Sequence, residues 1–177
     1  MIKESAQSVI LLSGPVGSGK STIAHELIKT SSGPVAYIEG DKFWSFIVKG
    51  FESKGMSRNF KTIMSSMIAS AVPYSYSGFE AIVDFSIPPW FLETAKKIVS
   101  VRDVHLEYVV VRPTEEVCAL RAASRNLGAI SDYTRYHDLY LSFDEADQYL
   151  INDDFGGPEE VACKIRNGLL EGRFRIL

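Results

Sequence analysis

Long hydrophobic runs are missing from this chain. No stretch approaches the ~20 apolar residues that a membrane-crossing helix requires. The opening Met1-Ile2-Lys3-Glu4, followed by polar residues, lacks the plan of a secretory signal. Both absences lead us to expect a cytoplasmic protein without membrane attachment. Cysteine is scarce: Cys118 and Cys163 stand in helix-like patterns without a C-x-x-C partner. That argues against a disulfide framework or a zinc site and reads both as small core residues in a reducing compartment. His25, His105 and His137 are scattered without ligand spacing and read as structural or surface residues. A basic stripe is also absent, and 19 Lys and Arg against 22 Asp and Glu give a net charge of −3, which argues against nucleic acid as the main partner. There are no repeats, no low-complexity linkers and no N-K-x-D guanine-reading signature.

What is present is an alternation of strand and helix signals over 177 residues, 46% of them hydrophobic, enough for one domain with a full core. Strands are expected at Val9–Ser13, Val35–Glu39, Ala81–Asp84, His105–Val111 and Tyr149–Ile151, with helices at about 20–30, 42–52, 58–72, 89–100, 114–127 and 158–171. The alternation implies an α/β fold, a parallel sheet with helices on both faces, whose ligands sit beyond the carboxyl ends of the strands.

One segment carries most of the chemical information. The apolar run Val9-Ile10-Leu11-Leu12 leads into Ser13-Gly14-Pro15-Val16-Gly17-Ser18-Gly19-Lys20-Ser21-Thr22, a G-x-x-x-x-G-K-[ST] phosphate loop between a strand and a helix. Its glycines allow a tight turn with inward N–H groups, Lys20 can reach the β- and γ-phosphates, and the Ser21 hydroxyl can ligate Mg²⁺. The helix beginning at Lys20 adds its positive dipole end.

Acids follow the next two strands. Glu39 and Asp41 flank Gly40 and fall on one side of the chain, so both carboxylates can face the phosphate loop. Glu39 is a candidate Mg²⁺ ligand through water. Asp41 is a candidate base for a substrate hydroxyl, or an N-cap of the segment after it. Asp84 ends the third strand in a Walker-B-like position, where it would assist Mg²⁺ or substrate, or else order the Ser86-Ile87-Pro88-Pro89 turn.

Thr114 is placed to cap a helix on which Arg121 and Arg125 lie four apart, with no acid three or four residues before either. An anion beside them would offset their repulsion, and a triphosphate reached by a closing lid fits; two solvated arginines are the alternative. The stretch from Asn126 to about Asp147, with Gly128, Arg135 and His137, reads as a mobile helical hairpin, giving a lid of about 121–147. Residues 152–157 are expected beside the phosphate loop, near an adenine pocket. An acceptor lobe is assigned to about 42–80, with 85–92. Phe43, Trp44, Phe46, Phe51, Phe60 and Trp90 make this region aromatic. Most of these rings are expected in the core, and any that face the cleft would favour an acceptor with a flat apolar part. Arg58 and Lys61 read as helix-end charges or as anchors for an acceptor phosphate.

On the phosphate loop, the Glu39-Gly40-Asp41 turn, Asp84, the Val111-Arg112-Pro113-Thr114 junction with Arg121 and Arg125, and the final Pro158-Glu159-Glu160-Val161 helix, the chain resembles the small-molecule kinase branch of P-loop proteins. This adenylate kinase-like group includes shikimate kinase, gluconate kinase and chloramphenicol phosphotransferase, with a looser likeness to zeta-toxin-like ATPases. The resemblance runs nearly end to end. It implies a five-stranded parallel sheet of order 2-3-1-4-5, ATP with Mg²⁺ as donor, a lid from the arginine helix, and Asp41 as base. The first acid of the pair is glutamate here and no glycine-rich acid-binding segment is present, which argues against shikimate as acceptor.

The leading expectation is a phosphotransferase acting on a hydroxyl of a small metabolite or antibiotic, with Lys20, Asp41, Arg121 and Arg125 catalytic and Ser21, Glu39 and Asp84 near the metal. A nucleoside or nucleotide kinase, or a nucleotide-binding switch or slow NTPase, are the alternatives. The tail Gly172-Arg173-Phe174-Arg175-Ile176-Leu177 packs either on its own domain or on a neighbour, and the expected state is a monomer or homodimer.

Overall fold

In the strands of this protein successive side chains face opposite ways, and both ways are apolar, so the sheet must be covered on both faces. The computed structural model describes residues 7–49, 56–126, 128–151 and 156–177. Its core is a sheet of β1 (Ser8–Ser13), β2 (Val35–Glu39), β3 (Glu80–Asp84), β4 (His105–Val111) and β5 (Leu150–Ile151) in the order β2-β3-β1-β4-β5, all parallel. Order and strand positions agree with expectation within one residue at each end.

Val9, Leu11, Val83, Leu106, Tyr108 and Val110 face a layer made by α2 (Met56–Tyr76) and α3 (Leu92–Val99). Ile10, Leu12, Ile82, Val109 and Val111 face α1 (Lys20–Lys29) and α6 (Pro158–Leu170), which pack on each other. Pro158 opens α6 at a position where its missing N–H costs nothing. α4 (Glu115–Ala123) is capped by Thr114, whose Oγ1 accepts from Val117 N.

Three expectations need correction. The segment after β2 is a 3-10 turn, Gly40–Phe46, rather than a helix over 42–52, and residues 50–55 of that span lie outside the described residues. Cys118 is buried, but Cys163 is exposed on the solvent side of α6. The lid region is not a helical hairpin. After α4 come a 3-10 turn at Thr134–Tyr136, the short α5 (His137–Leu141) and a further 3-10 turn at Asp144–Tyr149. Asp132 Oδ1 accepts from Thr134 N at 3.1 Å and sets a local turn in place of a long helix. Side chains tie this stretch to the β4–α4 junction: His137 Nδ1 pairs with Glu115 Oε1 at 2.8 Å, and Tyr140 donates to Pro113 O at 3.1 Å. Arg112 pairs with Asp144 and lies 4.3 Å from the Tyr140 ring. Residues 152–155, assigned to an adenine pocket, lie outside the described residues.

The carboxyl-terminal tail packs on its own domain. Phe174 is fully buried in the α1–α6 layer, against Gly168, where a Cβ would come within 2.4 Å of its ring. Leu106 N donates to Leu177 O at 3.0 Å and Ile176 N to Leu106 O at 2.9 Å, so the tail extends along β4. Arg175 Nε meets the buried Glu107 at 3.1 Å. Phe174→Ala is expected to lower stability by about 3–5 kcal/mol in urea unfolding. A loss below ~1 kcal/mol would show that the tail lies outside the cooperative core.

Candidate active site

The carboxyl ends of β1, β2, β3 and β4 bring the chemistry-bearing residues together. Leu12 pairs with Asp84 across β1 and β3, and Glu39 pairs with Asp84 across β2 and β3, which puts both acids at one edge of the sheet beside the loop leaving β1. That loop wraps from Gly14 into α1. It lies so close to neighbouring backbone that side chains are excluded at two positions. A Cβ at Gly14 would stand 2.0 Å from Val111 O, and one at Gly17 would stand 2.1 Å from Cys118 O. Both glycines also have positive φ, 139° and 81°.

Lys20 Nζ folds over this loop and donates to Gly14 O at 3.1 Å, Pro15 O at 2.9 Å and Ser18 Oγ at 3.4 Å. Burial pushes its pKa down, while the charges of Asp84 and Asp41 oppose that fall. A desolvated ammonium held among three oxygens at a helix N-terminus suits an anion such as the polyphosphate of a nucleotide.

A cleft of about 660 Å³ opens beyond the loop, lined by Lys20, Ser21, Glu39, Asp41, Asp84 and Arg125 on its polar side. Trp44, Phe60, Phe85, Ile130, Tyr136 and Leu139 contribute its apolar walls. Asp41 sits within the first turn of the 3-10 segment, whose N-cap is Glu39, so it is not the cap that one reading proposed. Burial raises the Asp41 pKa, Lys20 and Arg125 pull it back, and Asp84 and Glu39 add to the rise. Asp84 is almost wholly buried and accepts from the Tyr37 hydroxyl at 2.8 Å. It does not order the 85–89 turn. Ser13 and Tyr108 do that, with Ser13 Oγ and Tyr108 OH donating to Ile87 O at 2.8 Å and 2.6 Å.

Of the two arginines on or beyond α4, Arg125 lines the cleft, whereas Arg121 donates to Ser18 O of the loop at 3.2 Å. Glu39 lines the rim and is paired with Lys42 at 2.8 Å. Arg58 is exposed, and Lys61 stands 5.5 Å from the Trp90 ring. Phe46 and Trp90 are exposed, Phe43 packs on the core, and Phe51 lies outside the described residues.

The oxygen donors Ser21 and Asp84 share the cleft with the phosphate loop, a donor set of the kind Mg²⁺ takes. Among the described residues no group of three or more His, Cys, Asp or Glu could hold a metal by itself. Magnesium usually keeps waters and shares one or two protein oxygens with a bound phosphate. Sequence reasoning missed Tyr37, Phe85, Tyr133, Tyr136 and Leu139. A signal existed for Tyr37 alone, since strand alternation places it on the same side as Glu39.

Strand order, phosphate loop and cleft define a three-layer P-loop kinase-like fold. Solved structures of that class superpose along nearly the whole chain. The tunicamycin resistance protein of Deinococcus radiodurans matches with a TM-score of 0.70 at 19% identity, covering 92% of this chain and 95% of that one. APS kinase of Mycobacterium tuberculosis, in complex with AMPPNP and APS, matches at 0.67 and 17%, covering 94% and 98%. Shikimate kinase of Acinetobacter baumannii, in complex with shikimate, matches at 0.66 and 18%, covering 96% of each chain. At these identities the likeness establishes the fold. No curated protein matches the sequence. The sequence profile of the chloramphenicol phosphotransferase-like proteins matches residues 7–144, and the chain belongs to that family.

ADP is expected to raise the melting temperature of the wild-type protein, and Gly17→Ala is expected to force α4 off the phosphate loop and to abolish that rise. A wild-type shift in the variant would contradict the close approach described above.

Proposed function

We propose that this protein transfers the γ-phosphate of ATP to a hydroxyl of a small, uncharged acceptor with an apolar or aromatic part. The single observation that carries this reading is the cleft itself: Lys20 and Arg125, Asp41, and a wall of Trp44, Phe60, Phe85 and Tyr136 face one space. The polyphosphate lies along Gly14–Thr22, with Lys20 on the β- and γ-phosphates. Ser21, with Asp84 and Glu39 also lining the cleft, would hold Mg²⁺, which would supply charge neutralisation for the phosphates.

Asp41 accepts the proton of the acceptor hydroxyl as its oxygen bonds to the γ-phosphorus and the bond to the β-phosphate oxygen breaks. ADP leaves, the phosphate ester remains, and the proton passes from Asp41 to solvent. Partial burial favours this role because it strengthens Asp41 as a base relative to a free carboxylate. Lys20 and Arg125 stabilise charge on the transferring group, and the positioning of donor and acceptor supplies the remainder.

The lining also supports the acceptor class. Its described cations, Lys20 and Arg125, belong to the phosphate side, and its acids would repel a carboxylate or phosphate on the acceptor. Arg58, the residue a nucleotide kinase would use on an acceptor phosphate, is not among the lining residues. The supported class is thus a neutral hydroxyl compound rather than a sugar acid or a nucleotide.

Coupled ADP release with Mg·ATP across sugar acids, nucleosides, and aminoglycoside, phenicol and macrolide antibiotics tests the reading. Turnover is expected to require a neutral apolar acceptor and to fall at least ~100-fold in Lys20→Ala and in Asp41→Asn. Acceptor-independent turnover that survives Asp41→Asn would move the assignment to an NTPase or switch.

The pH profile supplies a second check. Asp41 must be ionised to act, and its raised pKa means that kcat/KM falls with decreasing pH through a limb above the ordinary value of 3.8. Asp41→Asn is expected to erase that limb from the residual activity, and an unchanged limb would assign it to another group.

A further inference from the structure

The phosphate loop has a conformational problem that its own sequence does not solve. Gly17 and Gly19 sit at φ 81° and 94°, and glycine tolerates either sense of rotation, so the peptides before them are not fixed by side-chain sterics. An anion cradle nevertheless needs each of those peptides to turn its N–H toward the phosphate.

Two side chains from outside the loop grip the peptides concerned. The Tyr133 hydroxyl donates to Val16 O at 2.6 Å, and Arg121 Nη1 donates to Ser18 O at 3.2 Å. In a planar trans peptide the C=O and the N–H point in opposite directions. Fixing the Val16 carbonyl on Tyr133 therefore fixes the Gly17 N–H on the opposite side of its peptide, and fixing the Ser18 carbonyl on Arg121 does the same for the Gly19 N–H.

Resting on the nucleotide-binding reading above, we propose that Tyr133 is a positioning residue for the nucleotide phosphates, acting with Arg121 to lock the peptides of the phosphate loop in their anion-binding orientation. The Tyr133 ring is nearly buried in a cluster with Cys118, Ala122 and Tyr140, so its hydroxyl is delivered by packing rather than by a mobile side chain. Burial also raises the phenol pKa further above its ordinary range, which keeps the group a donor throughout neutral pH.

The ring continues toward the acceptor side. Tyr133 meets Tyr136 at 5.7 Å between ring centroids, Tyr136 lines the cleft, and Ile130 N donates to Ala122 O at 3.0 Å, which ties the segment before Tyr133 to α4. A molecule seated against Tyr136 and Ile130 thus presses on the element that orients the phosphate loop. Through this one element acceptor and nucleotide can influence each other's binding.

The experiment compares Tyr133→Phe with Tyr140→Phe. Each variant deletes one hydroxyl from the same buried cluster and keeps the ring, but the Tyr140 hydroxyl donates to Pro113 O, away from the phosphate loop. Calorimetric titration of metal-free ADP and of inorganic pyrophosphate reads phosphate binding directly, without turnover. Tyr133→Phe is expected to weaken both ligands by the same factor, about 3- to 10-fold for one lost hydrogen bond, with Tyr140→Phe within about twofold of wild type. In the free protein, hydrogen exchange at the Gly17 amide should quicken in Tyr133→Phe and not in Tyr140→Phe.

Pyrophosphate affinity in Tyr133→Phe equal to wild type, or an equal loss in Tyr140→Phe, would overturn the proposal. If the wild-type protein bound neither ligand, the nucleotide-binding reading itself would fall. Wild-type binding that is lost in Lys20→Ala but kept in Tyr133→Phe would remove only the Tyr133 role.

Discussion

Backbone-to-backbone contact at the end of the central strand is the constraint on which this site depends. Val111 O and Cys118 O lie where side chains at Gly14 and Gly17 would stand, so the loop after β1 rests directly on the end of β4 and on α4. The sheet order makes this possible. With β1 between β3 and β4, the β1 loop has the β3 acid on one side and the β4–α4 junction on the other. Removing the glycines would separate the loop from α4 and from the Arg121 and Tyr133 side chains that hold its carbonyls. Lys20, Asp84 and Asp41 sit within a frame set by packing, as the proposed reaction would require of groups held before it begins.

The electrostatics follow from that frame. Lys20 has lost hydration to burial, and the nearby Asp84 and Asp41 resist its loss of charge. Asp41 is affected in the opposite sense: burial and two neighbouring carboxylates favour its protonated form, while Lys20 and Arg125 favour its charged form. Asp84 is fixed by the Tyr37 hydroxyl and almost wholly buried. The cleft carries Lys20 and Arg125 together with a wall of aromatic rings, and in the proposed reaction the first serve the donor and the second the acceptor.

Much of this was legible in the sequence because parallel strands buried on both faces read as unbroken apolar runs. Val9-Ile10-Leu11-Leu12 and His105–Val111 could be placed to within a residue for that reason. The phosphate loop and the acids after β2 and β3 were visible because chemistry fixes their spacing. What escaped depends on tertiary context. Phe43-Trp44 looked helical, but Gly40 packs against Phe85, where a Cβ would stand 2.6 Å from that ring, and the chain tightens into a 3-10 turn. Arg121 and Arg125 share a helical spacing, yet α4 ends at Ala123, and the two have different surroundings: Arg121 bonds the Ser18 carbonyl and Arg125 lines the cleft. Cys163 resembled a core residue because α6 carries apolar neighbours on both sides of it, although its own position faces solvent. Tyr133 gave no local signal, since its partner lies 117 residues away.

The central claim is that phosphate passes within this cleft from the P-loop side to an acceptor hydroxyl. Phosphorus NMR of Mg·ATP incubated with the protein and a neutral aromatic alcohol in whose presence ADP is released tests this most directly, because it shows where the γ-phosphorus goes. The account predicts a phosphomonoester resonance on the acceptor, growing in equal amount with ADP. Growth of inorganic phosphate alone, with the acceptor unmodified, would contradict it.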